Sequence, residues 1–230
     1  MEKVIKKYVL YGASFNPPHI GHFSAISQML EEYDKVIVFP YPKKYHNGIE
    51  EKLPPLGQRM KMLEIFFAEF FPQVVDRLLL NNLSPKIKLK DKVNEGVLHT
   101  YDYLKFVKEN IPNNVHLSVC LGFDAENILR KESFYKEEEI KKEFGVFKIT
   151  EENKINSAKL RDFFSDHKNV KSAKDEQYIR YAVGNSLAEH IFENNLYGLQ
   201  KKKKFSSVID IEKTHLIDPT IKKNTKKNKI

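Results

Sequence analysis

The stretch Tyr11-Gly-Ala-Ser-Phe-Asn-Pro-Pro-His-Ile-Gly-His22 constrains this chain more than any other. Before it, Val4 to Tyr11 is rich in β-branched and aromatic residues and reads as a strand. After it, Ile20, Phe23, Ile26, Leu30 and Tyr33 recur at helical spacing and predict one apolar face. A strand therefore passes through a short loop into a helix. Gly12 relieves the backbone at the strand end, while Asn16, Pro17 and Pro18 make the turn and preset the helix start. The unpaired N–H groups of the first helical turn then face the loop, where an anion is stabilised. His19 and His22 stand three residues apart on one side of that turn, and Gly21 between them leaves room for close approach. A polyphosphate there meets N–H dipoles and two imidazoles together. Two other readings stay open on the residues alone. A zinc pair is one, weakened by the single cysteine and the lack of a His/Cys cluster beside it, and a plain Pro-Pro turn with incidental histidines is the other.

The segment resembles the H-x-G-H motif of the nucleotidyltransferase superfamily. Over Gly12 to His22 it is similar to the nicotinate or nicotinamide mononucleotide adenylyltransferases, whose pattern is G-G-[ST]-F-[DN]-P-x-H-x-G-H. That resemblance implies a Rossmann-like doubly wound parallel α/β fold with a small helical C-terminal part, and ATP and a pyridine mononucleotide as substrates. It also implies Gly12, Ser14, Phe15 and Gly21 on the ATP side of the loop and Asn16 on the mononucleotide side.

At 230 residues and 41% hydrophobic, the chain can bury a proper core. No run of about eighteen apolar residues occurs and the N-terminus carries no apolar signal region, so a cytoplasmic protein without a membrane span is expected. The lone Cys120 lies in an apolar strand and reads as core. Net charge is +8, but residues 201–230 hold ten lysines against three acids, leaving +1 for the first 200 residues. The division expected is a nucleotidyltransferase domain over 1–200 and a basic, disordered tail over 201–230, the latter suited to an acidic partner or nucleic acid or simply to solvent.

Lys35 to Pro40 predicts a short buried strand, completing a βαβ unit. The polar loop from Tyr41 to Pro55 carries Lys43, Lys44 and His46. His46 falls where the adenylyltransferases have the histidine of P-x-x-x-P-P-H-K, with Asn47 in place of the lysine, so the resemblance places Lys44 and His46 near the mononucleotide. Leu56 to Phe71 predicts an amphipathic helix on Leu56, Met60, Leu63, Phe67 and Phe70, ended by Pro72. Its Gln58-Arg59-Met60-Lys61-Met62-Leu63 is similar to the family's Q-R-x-x-M-L. Arg59 thus reads either as a holder of the substrate loop or as one half of a helix-surface ion pair.

Val74 to Leu80 and Ile87 to Leu89 are apolar enough for strands. Val97 onward starts a helix on Leu104, Val107 and Ile111, with Thr100 available as a cap. This resembles the family's Y-T-x-x-T-L segment, with Tyr103 for the second threonine, and implies Thr100 and Tyr101 at the pyridine ring. His116 to Gly122 predicts another buried strand; Gly122-Phe-Asp124 at its carboxyl end resembles the family's G-x-D, implying Gly122 and Asp124 at the nucleotide, although Asp124 also suits a helix cap. A last strand is expected from Gly145. Ile155-Asn-Ser-Ala-Lys-Leu-Arg161 then resembles I-S-[SA]-T-x-[IL]-R, which implies Ser157 and Arg161 on the β and γ phosphates. The stretch between G-x-D and this arginine is much shorter than in the family. Tyr178 to Tyr197 closes the body, ending like the family's Y-I-x-x-x-x-L-Y.

No conventional nucleophile with its base and no G-x-G-x-x-G occurs. The resemblance implies direct adenylyl transfer, with His19, His22 and Arg161 as the catalytic set, magnesium arriving with ATP, and no dedicated protein metal site. Transfer to another phosphorylated acceptor, and a non-catalytic nucleotide-binding or nucleic-acid-binding role for the same fold, are the alternatives.

Overall fold

The computed structural model describes residues 5–41, 45–46, 49–50, 53–80, 100–121, 136–149, 155–170 and 172–201. Five strands form one parallel sheet: β1 (Lys6–Ala13), β2 (Lys35–Pro40), β5 (Leu78–Leu80), β6 (Val115–Leu121) and β7 (Gly145–Lys148). Their order is β5-β2-β1-β6-β7, with β1 in the centre. Chain direction across the sheet reverses between β1 and β6, the place where open α/β sheets collect ligands at the carboxyl ends of their strands. Two short ladders stand apart, β3 (Tyr45–His46) with β4 (Ile49–Glu50), and β8 (Asn169–Val170) with β9 (Gln200–Lys201).

Alternation along the strands feeds two cores. Val9 and Tyr11 of β1, with Val36 and Val38 of β2, face the larger one, built with α1 (Ile20–Glu32), α2 (Leu56–Phe70), α5 (Ser157–Asp166), α6 (Ala173–Val183) and α7 (Asn185–Glu193). Tyr8 and Leu10, with Ile37 and Phe39, face the smaller one, built with α3 (Thr100–Asn110) and α4 (Glu137–Glu143). The doubly wound α/β arrangement implied by the family resemblance is the one found.

The structure differs from the sequence expectations in three element boundaries and in the buried faces of two helices. Val74 to Leu80 is only partly strand: Val75–Arg77 is a 3-10 turn, because Arg77 turns back to donate to the carbonyls of Leu30, Tyr33 and Asp34 at the end of α1. The faces of α1 and α2 are rotated from the predicted ones, and the innermost residues are Ala25, Ile26 and Met29, and Met62, Leu63, Phe66 and Phe67. Thr100 is the first residue of α3, not a residue before it. Tyr178 to Tyr197 is two helices broken at Gly184, whose φ of +91° ends α6 before α7 begins. Glu69 of α2 accepts from the backbone N–H groups of Asn185 and Ser186 at 2.7 and 2.8 Å, capping α7 from a different helix. The expected strand Ile87 to Leu89, and the tail beyond residue 201, lie outside the described residues. Among the described residues no helix is long and apolar enough to cross a membrane.

Candidate functional site

β1 delivers residues 14–19 to the N-terminus of α1, and the two histidines cap that helix reciprocally. His19 is the N-cap: its Nδ1 accepts from the Gly21 N–H at 3.1 Å, while His22 Nδ1 accepts from the His19 N–H at 3.1 Å. Two of the N–H groups expected to face an anion are therefore already engaged. In exchange, each imidazole accepting on Nδ1 carries its neutral-state proton on Nε2, so the donors on offer are ring N–H groups. The rings lie 3.8 Å apart between centroids, with Phe15 4.7 Å beneath His22. His19 and His22 are 6% and 7% exposed. Burial pushes His22 down to about 3; burial, then the neighbouring His22 and Arg161, holds His19 well below the usual histidine range. Both are neutral donors at pH 7, because a buried cation, in the case of His19 beside the Arg161 guanidinium, is costly.

Gly21 is required by its neighbours as well as by any ligand. A Cβ there meets the Ile155 carbonyl at 2.8 Å and the His19 ring at 2.9 Å, so the segment leading into α5 packs directly on the first turn of α1. That contact brings the second motif to the first. Ser157 Oγ donates to the Pro17 carbonyl at 3.2 Å, and Arg161 Nη1 donates to the Asn16 carbonyl at 2.9 Å. Asn156 caps α5 by accepting from the Lys159 N–H. Two helix N-termini, two imidazoles and a guanidinium thus converge on one loop.

Arg59 is not a surface residue. It is 0% exposed, with Nε on the Pro54 carbonyl at 3.0 Å and Nη1 on the Ser14 carbonyl at 2.8 Å, so it braces the loop from the α2 side. Its Nη2 has no hydrogen-bond partner among the described residues. Asn16, 2% exposed, also accepts on Oδ1 from the Tyr197 hydroxyl at 2.7 Å.

Gly12 serves a different purpose from relief of the backbone. A Cβ there falls 2.6 Å from the Tyr41 hydroxyl, which lies over the strand end. Burial pushes the Tyr41 phenol up to about 12, keeping it a neutral donor. Tyr41 and Tyr197 had no role assigned from sequence. Tyr41 was findable, since it follows the last residue of β2, and the register Ala13 to Pro40 sets it beside the end of β1. Tyr101 points elsewhere: its hydroxyl donates to Glu143 at 2.8 Å, because α3 packs on α4. His46 lies in β3, and Lys44, Gly122 and Asp124 fall outside the described residues. The described residues include no group of three His, Cys, Asp or Glu side chains arranged to hold a metal. Cys120 is buried beneath the site, its thiol pushed up to about 12 by burial.

Comparisons with known proteins agree with this architecture. The nicotinate-nucleotide adenylyltransferase of Bacillus subtilis is 24% identical over 216 residues, covering 84% of this chain and 99% of its own. Among solved structures, Plasmodium falciparum nicotinic acid mononucleotide adenylyltransferase complexed with NaAD superposes with a TM-score of 0.57 at 20% identity, covering 85% of this chain and 98% of that one. The same enzyme complexed with APC gives 0.58 at 20% identity, with the same coverage. The cytidylyltransferase-like family matches residues 10–163, from the middle of β1 to the helix that carries Arg161, and the chain belongs to that family.

Proposed function

We propose that this chain transfers AMP from ATP to nicotinate mononucleotide, or to nicotinamide mononucleotide, forming the dinucleotide and pyrophosphate. The observation that carries the reading is the reciprocal His19/His22 cap with Arg161 brought against its loop, in a fold whose relatives are named for this activity. In the reaction a mononucleotide phosphate oxygen forms a bond to the α-phosphorus of ATP, and the bond from that phosphorus to the bridging α–β oxygen breaks. The attacking group is already an anionic nucleophile, so the protein need only align two anions and stabilise charge on the leaving group.

His19 and His22 give neutral Nε2–H donors to the phosphates at the reaction centre. Being neutral, they favour no one phosphate by charge alone and act by position. Arg161 takes the β and γ phosphates with the N–H groups it keeps beyond the one on Asn16, and Ser157, whose hydroxyl is engaged by the Pro17 carbonyl, serves them through its backbone N–H at the start of α5. Gly12, Ser14, Phe15 and Gly21 shape the nucleotide side, together with Gly122 and Asp124. Asn16, Lys44, His46, Thr100 and Tyr101 serve the mononucleotide side, Tyr101 through its backbone since its hydroxyl is engaged. Arg59 serves the mononucleotide side indirectly, by bracing the Ser14 to His19 loop that carries Asn16. Magnesium, bound through ATP, would screen the polyphosphate charge. It keeps several waters and needs few protein ligands, so it would arrive with its nucleotide. The name of the Bacillus relative favours the nicotinate substrate.

The test is pyrophosphate release from ATP and magnesium with each mononucleotide in parallel, beside His22→Ala. Turnover with one of them, lowered by about 10²–10³ in the variant, is expected for loss of a transition-state donor. Absence of release with both would point to a different acceptor.

A further inference from the structure

We propose that Tyr197 is a positioning residue that sets the Asn16 carboxamide for the mononucleotide, an inference that rests on the function proposed above. Asn16 is held from two independent directions. Arg161 takes its backbone carbonyl and the Tyr197 hydroxyl takes its Oδ1 at 2.7 Å, with the residue 2% exposed. An amide whose oxygen is claimed by a hydroxyl donor has its NH₂ turned to the opposite side, so Tyr197 decides which face of Asn16 a ligand meets. The other acceptor within reach of the hydroxyl is Met62 Sδ at 3.8 Å, a weak one, so the proton is held by the carboxamide oxygen at 2.7 Å.

The turn that delivers Tyr197 is held in an unusual backbone. Tyr197 has φ of 57°, Asn195 50° and Gly198 72°, three left-handed residues within four. A non-glycine residue there is strained and persists only where the surroundings over-determine it. Here they do: the ring packs 5.4 Å from Phe164, and β9, just beyond, is paired to β8. The C-terminal end of the body is thereby tied to the loop 181 residues earlier in the chain.

Tyr197→Phe removes the hydroxyl and keeps the ring. The expected result is a KM for the pyridine mononucleotide raised about tenfold, the worth of one buried hydrogen bond, with the KM for ATP held within about twofold. Adding Tyr197→Phe to Asn16→Ala should raise it no further, since the hydroxyl acts through Asn16. Unchanged KM values, or both rising together, would overturn the inference. Should the unaltered protein turn over neither mononucleotide, the proposed function fails, and the positioning role is judged by amide hydrogen exchange. Faster exchange confined to residues 14–22 in Tyr197→Phe supports it, and exchange equal to the unaltered protein refutes it.

Discussion

Arg59 Nη1 donates to the carbonyl of Ser14 at 2.8 Å across 45 residues of sequence, a fully buried guanidinium bonded to the loop that carries the histidines. Arg59→Met keeps much of the stem and removes both donors, leaving the Ser14 and Pro54 carbonyls without this partner. The variant should lose about 2–3 kcal/mol in urea unfolding, the cost of stranding buried acceptors. Turnover should fall with it. Arg59→Lys, lacking the fork, should recover only part of either.

His22 gives the protein an acid-sensitive stability. Its folded value near 3 lies below the ordinary 6.5, so the unfolded chain binds the proton first as pH falls. Stability from this group is flat above about pH 7, declines through the 6.5 to 3 window, and by pH 5 should be lower by about 2 kcal/mol. Urea unfolding at pH 7 and pH 5, for the natural protein and for His22→Gln, isolates this share as the difference between the two. Equal slopes with pH would show that His22 is not buried neutral.

Gly21→Ala tests the junction between the two motifs. The new Cβ has backbone at 2.8 Å on one side and the capping imidazole at 2.9 Å on the other, and neither is a flexible chain end. The expected outcome is about 1–3 kcal/mol lost to overpacking. Turnover should fall further than stability explains, since His19 must shift. Activity measured well below the melting temperature separates the two effects.

Glu69→Ala removes the cap on α7 without touching the site. About 1 kcal/mol should be lost, as for other N-terminal caps, with turnover unchanged at 25 °C. Gly184→Ala should cost more, because its φ of +91° is strained for any side chain and a Cβ meets Glu69 and Phe70 at 2.8 Å. Thermal melting of both variants beside the natural protein checks the order.

Local chemistry made much of this legible in the residues. Alternation and helical spacing fix an element from a few neighbours, and the strand end, Pro-Pro loop and paired histidines occupy twelve consecutive positions. The alternating β and α segments also limited the fold to a parallel sheet, since parallel neighbours need crossovers. Tertiary structure decided the rest. Whether Arg59 faced water or the loop depended on where α2 lay against β1, and a helix face read from spacing can rotate by one residue. The charge of His22 depended on burial, Phe15 being one of the rings against it, and that of His19 on burial, on His22 and on Arg161, 142 residues later in the chain. Tyr197 reached Asn16 only because the last turn of the body folded back. Sequence sets the chemistry available to each residue; solvent exclusion and distant neighbours, which arise only on packing, set its protonation and its partner.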